Sequence, residues 1–294
     1  MNPWSAVTKF LSKVSFNLRH HARQPHPVRS LAADLLARAG WSGRFTFVHA
    51  GSRLRLRPAG LSRILWVEPG RELDGESFLR AFLRAGDGVV DVGANIGVHA
   101  LLASRLVGES GRVLAIEAHP ATFRALEDNL RLNARPNIDA VCAAAGPGRG
   151  RVRFSDRADD DWNQVGSGGT LEVEQLPLDE IAAALPAVTL IKIDVEGYEL
   201  PSLRGASALL ARSQCVVLEY WHEHTRHFGY QLADLLALLG KFGFHAWSLE
   251  ENQGRVTVTP WTRTDEPAEL LNLVLVRDAS LLQRIAAGAG GRGP

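Results

Sequence analysis

Apolar residues change their period several times along the chain, and each change predicts an element. Between positions 41 and 68 the period is two. Phe45 and Phe47 lead to Leu54 and Leu56 set between Arg53, Arg55 and Arg57, and after Pro58-Ala59-Gly60 comes the run Ile64 to Val67. Alternation with one wet face predicts strands, so a small β-rich extension is expected here. Phe78, Leu79, Phe82 and Leu83 then mark one face of a helix over 72–83. From position 88 a short β-branched run, a tight turn and a helical pattern succeed one another. Val89 to Val92 is followed by Val98, Leu101, Leu102 and Leu106. Arg112 to Glu117 is followed by Pro120, Phe123, Leu126 and Leu130, and a third strand is predicted over Ile138 to Ala144. Consecutive βα units of this kind predict an α/β fold with a doubly wound, mostly parallel sheet.

The rhythm breaks at 147–175. Val152 and Phe154 alternate with Arg151 and Arg153, Leu171 and Val173 alternate with Glu172 and Glu174, and a long glycine-containing tip lies between them. This predicts a hairpin. A helix around 178–185, a strand from Val188, a helix over Ser207 to Arg212 and a strand over Cys215 to Tyr220 restore the alternation. A leucine-rich helix over 231–242 precedes a strand from Phe244 to Leu249, and Leu271 to Val276 is the last strand. The stretch 250–270 reads as a loose excursion with no crossover helix, which predicts that the last two strands form an antiparallel pair at the sheet edge. The expected divisions are a basic arm at 1–30, a helix and β-rich extension at 31–85, the main domain at 86–277 and a glycine-rich tail at 278–294.

Charge and cysteine usage narrow the partners. A formal net charge of +1 over 294 residues argues against a whole-molecule attraction to nucleic acid and by itself names no partner. Residues 1–30 carry Lys9, Lys13, Arg19, Arg23 and Arg29 with no acid, and Trp4, Val7, Phe10, Leu11, Val14 and Leu18 fall near helical spacing. Such an arm could touch an anionic membrane surface, though packing on its own domain is the simpler expectation. No run reaches the ~18 apolar residues of a membrane span, and Lys9, Ser12, Lys13, Ser15 and Asn17 interrupt any secretory core. A cytoplasmic protein is expected, with Cys142 and Cys215 as two buried reduced thiols. No metal is expected either. Asp159-Asp160-Asp161 lacks the alternate spacing of a calcium loop, and the residue four after His222 is Arg226, not the histidine of a zinc helix.

Two stretches carry candidate chemistry. In the first, the opening strand ends at Asp91 and runs into Gly93-Ala94-Asn95-Ile96-Gly97, with Glu117 and Ala118 at the end of the next strand. A carboxylate about 20 residues beyond a glycine turn is placed to accept ribose hydroxyls. A dinucleotide site also needs a middle glycine where backbone meets pyrophosphate, and that glycine is missing. S-adenosylmethionine, which has no phosphate, fits better. The second stretch is Val188 to Glu199, where Lys192, Asp194 and Glu196 fall on one strand face by the period of two. Charges inside a buried strand are costly unless paired or at the rim, which makes them a candidate catalytic cluster. Asp194 is the first choice of general base, Glu196 and His222 are reserves, and Lys192 orients the group. Trp162, Asn163, Tyr198, Trp221 and His222 are candidate substrate contacts.

The ordered motifs Gly86 to Gly97, Ala115-Ile116-Glu117-Ala118-His119-Pro120, Leu126 to Asn129, Ile191 to Glu199 and Leu218-Glu219 resemble the FkbM-type S-adenosylmethionine-dependent methyltransferases. That resemblance covers about 86–220 well and extends weakly to 277. It implies a class I methyltransferase (Rossmann-like) fold, seven strands with an antiparallel edge strand, and O-methylation of a hydroxyl on a sugar, glycan or secondary metabolite. One departure stands out. The third strand ends in Ala143-Ala144-Ala145-Gly146, leaving the adenine amine to backbone groups. A catalytically silent S-adenosylmethionine-binding module acting through a partner, and an NAD-dependent oxidoreductase, are the rival readings.

Overall fold

The computed structural model describes residues 24–156, 164–166, 168–252 and 254–288. Two compact units share them, one formed by 24–49 and 53–71 and the other by 50–52 and 72–288.

The smaller unit starts with helix α1 (Pro27–Arg38), whose Pro27 pre-sets the first turn. Strands β1 (Thr46–His49) and β2 (Ser52–Arg55) pair as a two-stranded sheet, and helix α2 (Leu61–Val67) follows. The expected alternation holds along β2, where Leu54 is buried and Arg53 exposed. The Ile64 to Val67 run is a correction, being helix and not strand. A short apolar run fits either period. Here Gly60, at φ +71°, opens a helix that buries Ser62 and Leu65, three residues apart. The helix is fastened by Arg63, 2.6 Å from Asp34, and by Trp66, over which the Arg29 guanidinium sits at 4.7 Å.

In the larger unit, α3 (Glu76–Phe82) precedes β3 (Gly88–Val92), α4 (Val98–Val107), β4 (Arg112–Glu117), α5 (Pro120–Asn133) and β5 (Ile138–Cys142). The predicted third strand is broken at Ala143. Its end, β6 (Ala144–Ala145), leaves the main sheet to join β7 (Gly150–Phe154) and β8 (Leu171–Leu176) in a separate three-stranded sheet of order β6-β8-β7. Then come α6 (Leu178–Ile181), shorter than the pattern implied, and β9 (Val188–Ile193). After these follow α7 (Glu199–Arg204), α8 (Ser207–Arg212), β10 (Ser213–Tyr220) and α9 (His222–Thr225). The chain continues through α10 (Leu232–Gly240), β11 (His245–Asn252), β12 (Arg255–Pro260) and β13 (Leu271–Val276) to α11 (Gln283–Gly288).

The main sheet has eight strands in the order β12-β11-β13-β10-β9-β3-β4-β5. Strands β10, β9, β3, β4 and β5 run parallel, and β13 is antiparallel to both β10 and β11. The fold is the class I methyltransferase α/β architecture, and the last two predicted strands, β11 and β13, form the expected antiparallel pair. One detail is corrected, because the supposed excursion contains an eighth strand, β12, which is antiparallel to β11 from Asn252↔Arg255 to Trp247↔Pro260 and forms the sheet edge. The alternation of Val256 and Val258 with Arg255, Thr257 and Thr259 accounts for β12.

One sheet face holds the core. Val90, Val92, Ile191, Ile193, Val216 and Leu218 pack against Leu200, Leu203, Leu209 and Leu235 from α7, α8 and α10. The other face begins apolar and ends polar. Asp91 pairs with Lys192, Lys192 with Val217, and two residues beyond Val217 the residue Glu219 pairs with Asn272. Direct partners and residues two apart share a face, so Asp91, Lys192, Glu219 and Asn272 form one polar row near the carboxyl ends of β3, β9 and β10. Cys142 and Cys215 are unbridged; Cys215 is buried as expected, whereas Cys142 is only half-buried. Among the described residues no helix is long and apolar enough to cross a membrane.

Candidate active site

The turn after β3 is a backbone cradle. Gly93 and Ala94 N–H both donate to the Ile116 carbonyl at 2.9 Å, which ties the turn to β4. Asn95 N–H donates to Glu117 Oε2 at 3.0 Å, and His119 N–H donates to Glu117 Oε1 at 2.8 Å. The buried Glu117 carboxylate thus fixes the turn as well as ending its strand. Asn95, at φ +49°, accepts at its own Oδ1 from Ile96 N–H, and Asn129 Nδ2 donates to the Ile96 carbonyl at 2.8 Å. Gly97, at φ +89°, starts α4 where a Cβ would lie 2.4 Å from Leu126 Cδ1. Ala118 is half-buried beside Glu117.

Beside the cradle, Lys192 Nζ lies 3.2 Å from Asp194 Oδ2 and 3.7 Å from Asp91 Oδ1. Burial alone would lower the Lys192 pKa, but Asp194 and Asp91 outweigh it and hold the ammonium charged. Asp91 is 1% exposed, and neither of its carboxylate oxygens accepts a hydrogen bond. Nearby, His99 Nε2 on α4 is buried without a partner, and burial followed by Lys192 lowers the pKa of the ring. Buried polar atoms are nearly always hydrogen-bonded. A buried carboxylate that accepts no hydrogen bond and an unpartnered ring nitrogen beside a glycine turn therefore mark a place for a polar ligand.

The chain turns sharply after β9. Glu196 at φ +53° and Gly197 at φ +96° are successive left-handed residues. This corrects the expectation that Glu196 continues the face of Lys192 and Asp194, because the strand period ends at Ile193. Glu196 Oε2 lies instead 2.9 Å from His224 Nδ1, and the His224 ring packs on Trp221 at 4.3 Å between centroids. Burial lowers the His224 pKa. The turn is held from beneath by Glu199, 2% exposed, which accepts from Gly197 N–H at 3.0 Å and from the Tyr230 hydroxyl at 2.7 Å.

The remaining candidates scatter. Tyr198 donates its hydroxyl to Gln175 Oε1 at 2.9 Å and packs edge-on to Phe228. His222 Nδ1 lies 2.8 Å from Glu266 Oε1. Trp162 and Asn163, like the three aspartates before them and residues 1–23 of the basic arm, lie outside the described residues. Among the described residues no three His, Cys, Asp or Glu are grouped to hold a metal ion.

Two side chains were missed from sequence. His99 sits just inside α4, and nothing in its spacing set it apart. Glu219 had a signal, an acid closing a buried strand, but that alone did not separate it from other strand-end acids. With Asp74, Gly75, Phe78, Leu79, Lys192, Asp194 and Asn272 it lines a cavity against α3.

The Methyltransferase FkbM domain matches residues 91–246, from Asp91 to the start of β11. The chain belongs to the FkbM methyltransferase family. A curated relative, the hexuronic acid methyltransferase AglP of Haloferax volcanii, is 28% identical over 179 residues, 58% of this chain and 70% of that protein. Among solved structures, the FkbM methyltransferase of Methylobacillus flagellatus KT is 20% identical at a TM-score of 0.45, and the match covers 65% of this chain and 43% of that one. SMU.1697c of Streptococcus mutans, a putative methyltransferase in complex with SAH, is 9% identical at a TM-score of 0.43, with 69% and 94% covered. S-adenosylmethionine is the cofactor of the family, and the cradle suits it. Asp91 is a buried carboxylate that accepts no hydrogen bond and has Lys192 at 3.7 Å, the glycine turn lets backbone approach closely, and no phosphate site is required.

Proposed function

We propose that this FkbM family member transfers a methyl group from S-adenosylmethionine to a hydroxyl of a sugar, glycan or secondary metabolite. The observation that carries the reading is the junction of the two candidate stretches. The cradle begins at Gly93, and Gly93 is packed directly on the Asp194 carbonyl. Cofactor turn and charged cluster are thereby one site. When bound, S-adenosylmethionine supplies an electrophilic methyl group on a sulfonium that leaves as a neutral thioether.

The residues have separate tasks in this reading. Asp91 holds the ammonium of the cofactor, Gly93, Ala94, Asn95 and Gly97 give it a close backbone surface, and Glu117 with Ala118 receives the ribose. Asp194 takes the acceptor's proton as the new C–O bond forms. Its Oδ2 is occupied by Lys192, which leaves Oδ1 for that proton. A positioned base of this kind contributes about 10²–10⁴-fold. Alignment of the hydroxyl supplies the rest. The sugar class is supported by the Haloferax relative, whose name specifies a hexuronic acid.

Calorimetry with S-adenosylhomocysteine, followed by methyl-labelled S-adenosylmethionine and fractionated host glycans and metabolites, tests the reading. Binding together with label in a base-stable ether is the expected result. Absence of binding, or label only in nitrogen or ester linkages, would sink it.

A further inference from the structure

The cavity beside the lysine cluster is asymmetric in charge. It holds about 40 Å³, while a water molecule needs roughly 10–15 Å³. That is room for a hydroxyl and the carbon bearing it, not for a whole sugar ring. Phe78, Leu79, Val217 and Leu249 make its apolar walls, and Asp74, Asp194, Glu219, Lys192 and Asn272 its polar ones. Lys192 is committed to Asp194 and Asp91. Glu219 is half-buried, and no hydrogen bond or ion pair from any described residue reaches its carboxyl group. On the far side of Lys192 in the same polar row, Asp91 accepts no hydrogen bond either.

We propose that this cavity is the acceptor subsite, that Glu219 determines its specificity, and that it admits uncharged polyhydroxylated acceptors while rejecting anionic sugars. The proposal rests on the methyltransferase reading above and names the substrate class of that site.

Glu219 reports the field inside the cavity. Burial first, and then Asp194, push its carboxyl up to about 8, with Asp74 and Glu199 acting in the same direction and Lys192 alone opposing them. The other elements packed against it add no cation, since β13 offers neutral Asn272, α3 offers Phe78 and Leu79, and β11 offers Leu249. A carboxylate brought in by a ligand would meet the same desolvation and the same negative neighbours. A neutral hydroxyl would meet a protonated Glu219 that both donates and accepts, and an Asn272 amide that does the same. The inferred preference therefore differs from the one printed in the name of the Haloferax relative, whose sequence is 28% identical.

The test is a binding experiment on the full chain saturated with S-adenosylhomocysteine. Methyl β-D-glucopyranoside and methyl β-D-glucopyranosiduronate are titrated by saturation-transfer NMR at pH 7 and pH 9, on the wild type and on Glu219→Gln. The neutral glycoside is expected to bind at least about tenfold more tightly at pH 7. The gap should widen at pH 9, where Glu219 ionises, and stay flat with pH in Glu219→Gln. If S-adenosylhomocysteine does not bind, the methyltransferase reading falls and takes this proposal with it. If it binds, the specificity proposal alone is overturned by equal or tighter binding of the uronate, by binding of neither glycoside, or by a pH response that persists in Glu219→Gln.

Discussion

The Asp194 carbonyl oxygen occupies the space where a side chain on Gly93 would begin, 1.8 Å from an ideal Cβ. The turn after β3 and the turn after β9 are thus in backbone contact, and Asp194 N–H continues the ladder by donating to the Val92 carbonyl at 3.0 Å. The two halves of the site cannot shift independently.

Gly93→Ala tests that contact. Gly93 has φ +81°, so the new methyl group adds left-handed strain to a backbone clash, and a cost of about 3 kcal/mol or more is expected. Urea denaturation should show the loss, and S-adenosylhomocysteine affinity should fall with it. A variant of wild-type stability and affinity would show that the turns are looser than the structure has them.

Asp194→Asn separates chemistry from binding. Its side chain is 38% exposed and bridges to Lys192, so the fold should survive. Turnover on an identified acceptor should drop by about 10²–10⁴-fold, while calorimetry returns a near-normal affinity for S-adenosylhomocysteine. Wild-type turnover would remove Asp194 from the base role.

Glu219 links stability to pH. Its carboxyl is raised in the folded protein to about 8 from an ordinary 4.5, so the folded state holds this proton more tightly than the unfolded chain. The resulting stabilisation is fully present below about 4.5 and fades as pH rises through about 8. Glu219→Gln keeps a neutral side chain at every pH. Relative to wild type it should gain on the order of 1–3 kcal/mol between pH 5 and pH 9, read as a growing difference in denaturation midpoint. A difference that does not change with pH would contradict the assignment.

Tyr230→Phe probes the support under the turn after β9. The Tyr230 hydroxyl is 2.7 Å from Glu199 and 2.9 Å from the Gly197 carbonyl. Burial raises the Glu199 pKa, and the hydrogen bond from Tyr230 opposes that rise. Removing the hydroxyl should cost about 1–3 kcal/mol and loosen the Gly197 amide, seen as faster hydrogen exchange there. Unchanged exchange at Gly197 would mean that Glu199 holds the turn alone.

Much of this was legible in the sequence because buried parallel strands and glycine turns leave strong patterns. The strand ending at Asp91, the carboxylate at Glu117 and the Lys192-Asp194 pair were all readable, as were the hairpin from Gly150 to Leu176 and the final strand. What escaped was set by tertiary context. Ile64 to Val67 is too short for its period to choose between helix and strand, and the choice falls to Gly60 and the packing of Leu65. Glu196 left the face of Lys192 because two left-handed residues end the strand, which a period of two cannot foresee. Strand β12 was overlooked because its Val and Thr alternate over only a few positions. Glu219 stood in view as a strand-end acid, but its neighbours across the sheet come from segments about 25 residues before it and 50 after it, and no local reading joins them.

The polar row from Asp91 to Asn272 makes each strand a ruler, on which a few residues of length separate structural duty from chemical duty. At Val89, Leu190 and Val217 this face is apolar, and the polar positions follow two residues later on β3, β9 and β10. An engineer could therefore exchange the graduation mark at Glu219 or Asn272 and leave the spine of the sheet unaltered. On the proposed reading of the cavity, acceptor choice is written at the tips of a scaffold whose rigidity is written elsewhere, and the two can be varied as separate alphabets.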